Sequence, residues 1–93
     1  MDREVGKFIW SIEKEREDIA KHGINFTLAS RVFFDNKRKI FADENHSENE
    51  PRYFCIGKVY GRIITVRFTY REDMIRIFGA GYWRKGKEQY EKA

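Results

Sequence analysis

The stretch RYFCIGKVYGRIITVRFTYREDMIRIFGA, running from Arg52 to Ala80, reads as three β-strands in a row. Arg52 to Tyr60 and Arg62 to Tyr70 flank Gly61, a residue that tolerates the positive φ of a tight hairpin connection, so the two runs should pair antiparallel. In the second run Ile64, Val66, Phe68 and Tyr70 fall on one face, and Ile63, Thr65, Arg67 and Thr69 on the other. That period of two is the pattern of a half-buried strand. After the polar turn Arg71-Glu72-Asp73, Met74 to Ala80 forms the third strand, with Ile75 and Ile77 opposed to Arg76 and Phe78. Gly79 and Gly81 then release the chain.

Upstream of this meander the pattern changes to helical. Lys7-Phe8-Ile9-Trp10 is a short apolar run, read as a strand, that ends at Ser11, a residue type that caps helix starts. A helix follows over Ile12 to His22, with Glu13, Glu15, Glu17 and Asp18 in its front and middle and Lys21-His22 at its end, a polarity that suits the helix dipole. Gly23 supplies a left-handed closing residue. The apolar stripe, chiefly Ile12 and Ile19, is thin, so most of this helix should be solvated. A second, short helix is expected from Thr27 as N-cap to near Asp35, burying Leu28, Ala29, Val32 and Phe33. Lys39 to Ala42 reads as a short strand, and Asp43 to Pro51, polar and acidic, as a loop. Residues 83 to 92 read as a polar C-terminal helix, with Gly86 weakening its middle and Tyr90 as its packing contact. The fold class is therefore α+β, with N-terminal helices packed on a mostly antiparallel sheet and a C-terminal helix.

Ninety-three residues cannot divide their apolar side chains between two cores, so residues 1–93 are expected to form one domain. Eight Phe, five Tyr and two Trp give that small core large rings to bury. The lone Cys55 cannot form an internal disulfide, and no apolar run approaches the roughly 20 residues that span a bilayer. A soluble cytoplasmic protein is the expectation. Residues 1 to 50 carry nine Lys/Arg against eleven Asp/Glu, and residues 51 to 93 carry ten against four, so a net charge of +4 divides into −2 and +6. Six of the ten C-terminal cations are arginines, whose flat guanidinium suits phosphate oxygens.

A search for catalytic patterns removes several classes. One Cys and two His, at positions 22 and 46, fall short of any metal-site spacing, and Gly79-Ala80-Gly81 lacks the lysine and third glycine of nucleotide-binding loops. Neither a metal nor a cofactor is expected. Cys55 lies within a strand, where thiols are usually packing groups. What remains is Arg52, Arg67, Arg71 and Arg76, which the meander can bring to one phosphodiester, with Thr65 and Thr69 adding hydroxyls; ordinary solvation of edges and turns is the alternative. No helix carries a basic face suited to a DNA groove, so direct DNA binding is not expected.

Phe8-x-Trp10 before a helix ending Lys21-His22-Gly23-Ile24, then Val32-Phe33-Phe34-Asp35, Glu50-x-Arg52, Gly61-Arg62, Thr69-x-Arg71, Ile75-Arg76-Ile77 and Glu88-x-Tyr90-Glu91 follow one another along nearly the whole chain. In this order they resemble the BrnT toxins of type II toxin-antitoxin systems. The resemblance implies a compact RelE-like fold, a ribonuclease that arrests growth by cutting RNA, and a cognate ribbon-helix-helix antitoxin through which any DNA contact would be made. The family typically ends its last strand Ile-Ser-Ala-Arg, where this chain has Phe78-Gly79-Ala80-Gly81, and a weakly active or inactive homologue that still binds antitoxin or RNA is the alternative.

RNA is cut without metal when its 2′-hydroxyl is deprotonated and attacks the neighbouring phosphorus while the leaving 5′-oxygen is protonated. Arg76 and Arg71 are the expected cations at the phosphoryl oxygens, and Arg76→Ala is expected to relieve growth arrest. His22 is a candidate proton mover, since imidazole is the side chain suited to that work near neutral pH, but could equally be a helix cap. Glu50 could be a base beside Arg52 or only an ion-pair partner. Arg52, Arg67, Thr69 and Tyr90 are the expected RNA contacts, with Tyr70 and Tyr53 as further rings that could stack on a base; His46 reads as exposed loop.

Overall fold

Tyr60 at φ 49° and Gly61 at φ 81° make the two-residue connection between Val59 and Arg62, the conformation that a type I′ hairpin requires. In the computed structural model, which describes residues 1–92, this hairpin lies within a six-stranded sheet. Its strands are β1 (Asp2–Val5), β2 (Phe8–Ser11), β3 (Lys39–Ala42), β4 (Tyr53–Val59), β5 (Arg62–Arg71) and β6 (Met74–Gly81), in the order β1-β2-β6-β5-β4-β3. Only β2 and β6 run parallel. The other neighbours pair antiparallel, as the meander anticipates. Helices α1 (Ile12–His22), α2 (Phe26–Ser30) and α3 (Arg84–Glu91) complete the α+β architecture, with one-turn 3-10 segments at Arg31–Phe34 and Glu44–His46.

Register puts Ile64, Val66 and Phe68 on the same sheet face as Cys55, Ile77 and Ala80. Trp10 and Phe8 join them through the parallel pairing with Ile77 and Ile75. Phe26, Ala29 and Val32 cover this face, and Trp10 meets Phe26 edge-on at 5.9 Å. A Cβ on Gly57 would come within 2.9 Å of Val32 Cβ, so glycine is what allows that segment its close approach to β4.

The opposite face is divided. Over Thr65 lies α3, approaching so closely that a Cβ on Gly86 would overlap the Thr65 hydroxyl. The glycine that looks like a helix weakness is thus a packing device, and β5 is buried on both faces rather than half-buried, with Thr65 and Thr69 only 5% and 1% exposed. Near Arg67 it is α1 that approaches, its Lys14 lining a pocket with Arg67 and its Asp18 Oδ2 coming 3.2 Å from where a Cβ on Gly79 would stand. A β-bulge between Arg67 and Phe68 leaves Phe78 as an extra residue of β6, because Arg67 pairs with Gly79 and Phe68 with Ile77. Phe78 is thereby released from the core alternation.

Helix α1 has the expected ends: Ser11 accepts from Lys14 N, and Gly23 closes it at φ 70°. Beyond Ile77, β2 no longer accompanies β6, and Asp18 of α1 accepts the main-chain N–H of Ala80 at 2.6 Å. Two expectations are corrected. The cap of α2 is Asn25, whose Oδ1 accepts from Leu28 N at 2.7 Å, while Thr27 is exposed inside the helix. Residues 2–5, not anticipated as a strand, form β1, because Gly6 at φ 60° turns the chain back onto β2.

Candidate functional site

The acidic loop between β3 and β4 is fastened at several points. Asp43 N–H donates to Arg52 O at 2.7 Å, and the Ser47 hydroxyl donates to Asp43 O at 2.6 Å while accepting from Arg52 N at 3.0 Å. Thr69, buried in β5, donates its hydroxyl to Pro51 O at 2.5 Å. Arg71 Nη2 donates to Glu50 Oε1 at 2.7 Å. These contacts bear on three sequence expectations. Glu50 is held by Arg71 rather than Arg52, Thr69 has no surface to offer RNA, and the Arg71 guanidinium already faces a carboxylate.

Arg76 is engaged in the same way. Its Nη2 lies 2.6 Å from Asp2 Oδ2, and its side chain is 16% exposed. The hydrogen bond from Arg76 holds the Asp2 carboxyl below its ordinary range. The expected clamp of Arg71 and Arg76 is thus two internal ion pairs.

Arg52 and Arg67 differ. Neither belongs to an ion pair among the described residues. With Lys14, Asp43, His46 and Phe78 they line a pocket of about 130 Å³, large enough for a phosphodiester group. Arg52 Cζ lies 4.2 Å from the centre of the Phe78 ring, a cation–π contact at the pocket wall. Arg67 crosses Gly79, where a Cβ would come 2.9 Å from its Nη2, and its buried Nε has no hydrogen-bond partner. Glycine at 79 makes room for the guanidinium, and the bulge turns Phe78 toward it.

The fastened loop also organises His46. Its Nδ1 lies 3.1 and 3.0 Å from the two oxygens of Asp43, a carboxylate whose side chain is 5% exposed, while the imidazole side chain is 58% exposed. His46 is exposed in its loop, as the sequence reading expects, while Lys14 and Phe78 are not among its candidates. The spacing Asp43-x-x-His46, three residues apart on one turn, was the available signal for the contact of His46 with Asp43. Nothing in the sequence marks Phe78, which depends on the bulge.

The other expected site residues lie outside this pocket. His22 meets the Trp83 ring edge-on at 5.3 Å. That ring lies against Gly81, where a Cβ would come 2.8 Å from it, so the space above position 81 is filled by an aromatic side chain. Tyr90 donates to Asp35 Oδ2 at 2.5 Å, and this bond, with burial, pushes its phenol up to about 12. Tyr53 stacks on Phe68, and Tyr70 packs edge-on against both. Burial likewise raises the Cys55 thiol to about 12, which suits a packing role. Among the described residues no three His, Cys, Asp or Glu side chains cluster as metal ligands. A larger concavity of about 590 Å³ lies by the core face, with Phe8, Phe33, Phe34, Ile40, Tyr70 and Ile75 in its walls, and is mostly apolar. Among the described residues, no helix is long and apolar enough to cross a membrane.

The sheet and its covering helices define a small α+β protein in the RelE-like arrangement that the resemblance implied, with a pocket lined by Arg52 and Arg67. The family described as "Ribonuclease toxin, BrnT, of type II toxin-antitoxin system" matches residues 10–87, and the chain belongs to it. That span contains all six residues lining the basic pocket and leaves out Asp2, the partner of Arg76. No curated protein matches the chain.

Proposed function

We propose that residues 1–93 act as one toxin domain, a metal-independent endoribonuclease of the cytoplasm that arrests growth until a cognate antitoxin neutralises it. The observation that carries this reading is the pair Arg52 and Arg67, free of ion pairs among the described residues and lining one pocket with Lys14. Lys14, Arg52 and Arg67, none of them in an ion pair among the described residues although the Asp43 carboxylate lines the same pocket, attract an anion, and a bound phosphodiester supplies it. As the 2′-oxygen attacks, charge grows on the phosphoryl oxygens, where fixed donors contribute about 3 kcal/mol. Arg52 and Arg67 are the donors in this scheme. Phe78, at the wall, offers a ring to a neighbouring base.

Arg71, Glu50 and Thr69 then act as positioning residues, since each fastens the loop that borders the pocket. Arg76 ties β6 to β1 through Asp2. The antitoxin, read as a ribbon-helix-helix protein, covers the basic pocket with an acidic segment and supplies any DNA binding. The association should therefore weaken steeply with salt.

A second reading is favoured by one observation. The Trp83 ring fills the space above Gly81. A homologue that binds RNA or antitoxin without cutting would fit the absence of an arginine there. The test is incubation of the purified protein with a long mRNA, with and without ribosomes, in excess EDTA, beside a growth assay without antitoxin. Fragments in EDTA together with growth arrest are expected. Intact RNA in both mixtures would leave the non-cutting reading, and fragments that vanish in EDTA would overturn metal independence.

A further inference from the structure

We propose that His46, oriented by Asp43, is the catalytic base that takes the 2′-hydroxyl proton of RNA held in the pocket. This rests on the ribonuclease reading above and names the proton acceptor for it. Asp43 is nearly buried and presents both oxygens to His46 Nδ1 at 3.0 and 3.1 Å. A carboxylate so placed keeps the ring proton on Nδ1, because the opposite tautomer would set a lone pair against an anion. The Nε2 lone pair is thereby left free on an imidazole that is mostly solvent-accessible and lines the pocket.

The main chain that carries Asp43 is itself fixed. The Asp43 N–H bonds Arg52 O, and its carbonyl accepts from Ser47, whose hydroxyl also takes the Arg52 N–H. The base and one phosphate-holding arginine are thus tied to each other through the backbone, which sets their separation. No other histidine reaches the pocket, since His22 packs on Trp83. Glu50 is occupied by Arg71.

The step balances without a co-reactant. The 2′-oxygen forms its bond to phosphorus as its proton passes to His46 Nε2. The bond from phosphorus to the 5′-oxygen breaks, leaving a 2′,3′-cyclic phosphate on one fragment. The departing 5′-oxygen takes a proton from water, and the imidazolium returns one to solvent. Asp43 stabilises the imidazolium while it exists. The charged groups facing the ring are Asp43, Lys14, Arg52 and Arg67, and the last three are the ones that hold the phosphate.

The experiment compares the full-length chain with His46→Gln, His46→Ala and Asp43→Asn on a long mRNA, with and without ribosomes. His46→Gln should cut about 100-fold to 10,000-fold more slowly, the range a positioned general base supplies. Its affinity for 2′-O-methyl RNA, which cannot be cut, should stay within about threefold, because the arginines do the holding. The acidic limb of the rate's pH profile should disappear in His46→Gln, and added imidazole should restore part of the rate of His46→Ala. Asp43→Asn should slow cutting while leaving binding intact. Variants that cut within about tenfold of the parent with its pH profile unchanged would overturn the role of His46 while leaving the ribonuclease reading in place. A parent chain that cuts no RNA in either mixture would overturn both.

Discussion

Two pairs of arginines from the meander and the loop that leads into it meet opposite fates. Arg71 and Arg76 face carboxylates of their own chain, Glu50 at 2.7 Å and Asp2 at 2.6 Å. Arg52 and Arg67 line a pocket and, among the described residues, form no ion pair. All four have the same chemistry and come from the same basic half of the chain. The difference lies in what the fold brings beside them. A guanidinium beside a carboxylate keeps other N–H donors, but its charge is partly neutralised, so it gains less from a phosphate than one with no carboxylate partner.

The sharpest way to break this contrast is to remove one arginine of each pair. Arg67→Ala should slow RNA cleavage about 100-fold, corresponding to roughly 3 kcal/mol of lost transition-state stabilisation. Arg76→Ala should stay within about fivefold, the equivalent of roughly 1 kcal/mol. This replaces the expectation from sequence that Arg76 is the key cation. Single-turnover rates on the two variants decide it, and equal losses would erase the distinction.

A gentler probe leaves both arginines in place. A methyl group at Gly79 would stand 2.9 Å from Arg67 Nη2, so Gly79→Ala should push the guanidinium aside. The atoms it meets are the flexible end of Arg67 and, at 3.2 Å, the Asp18 carboxylate that accepts the Ala80 N–H, both side-chain ends that can shift, so the fold should survive. RNA affinity should fall about tenfold, the loss of roughly one charge-assisted hydrogen bond. An unchanged affinity, measured by titration with 2′-O-methyl RNA, would mean that Arg67 does not hold phosphate from its present position.

The same contrast between an occupied and a free group separates Tyr90 from Phe78. Tyr90 was an expected RNA contact, yet its hydroxyl is bonded to Asp35. Burial works to raise the Asp35 carboxyl, but the Lys58 N–H, the Tyr90 hydroxyl and the Lys37 N–H outweigh it and hold the group low. The Tyr90 phenol moves the other way, from 10.0 to about 12, chiefly because of the bond to Asp35. A raised value means that the protonated phenol stabilises the fold below pH 10 and that this contribution fades as pH climbs toward 12. Tyr90→Phe should therefore cost about 1 kcal/mol at neutral pH. Its deficit against the parent should shrink across that alkaline window, as denaturant unfolding at a series of pH values would show. RNA affinity should not change.

How much of this was legible follows from where the physics is local. Helix α1 was readable to its ends, because Ser11 and Gly23 are capping residues and the charges follow the dipole. The meander was readable because period-two alternation and Gly61 act over a few residues. The α2 cap was misplaced by two positions. Asn25 and Thr27 both favour caps, and only the geometry shows that Asn25 reaches Leu28 N. Strand β1 was invisible because Asp2-Arg3-Glu4 is an exposed edge, held by pairing to β2 rather than by burial.

The site was legible in composition and misread in detail. That arginines of the C-terminal half would gather was clear from the strand pattern. Which of them would stay free depended on Asp2 and Glu50, partners 74 and 21 positions away. His46 is exposed in its loop as the sequence suggests, but nothing local announces that Ser47, Pro51 and Arg52 tie that loop to the sheet. The bulge at Phe78 is likewise a property of the β5–β6 register.

The most direct measurement of the central claim is the salt dependence of binding to 2′-O-methyl RNA by two double variants. Each phosphate contact to a single strand contributes about 0.7 to the slope of log affinity against log salt. Arg52→Ala/Arg67→Ala should lose about 1.4 of that slope relative to the parent. Arg71→Ala/Arg76→Ala should keep the parent's slope. A loss of slope in the second variant with none in the first would contradict the account, because the phosphate would then be held by the arginines that the fold has paired.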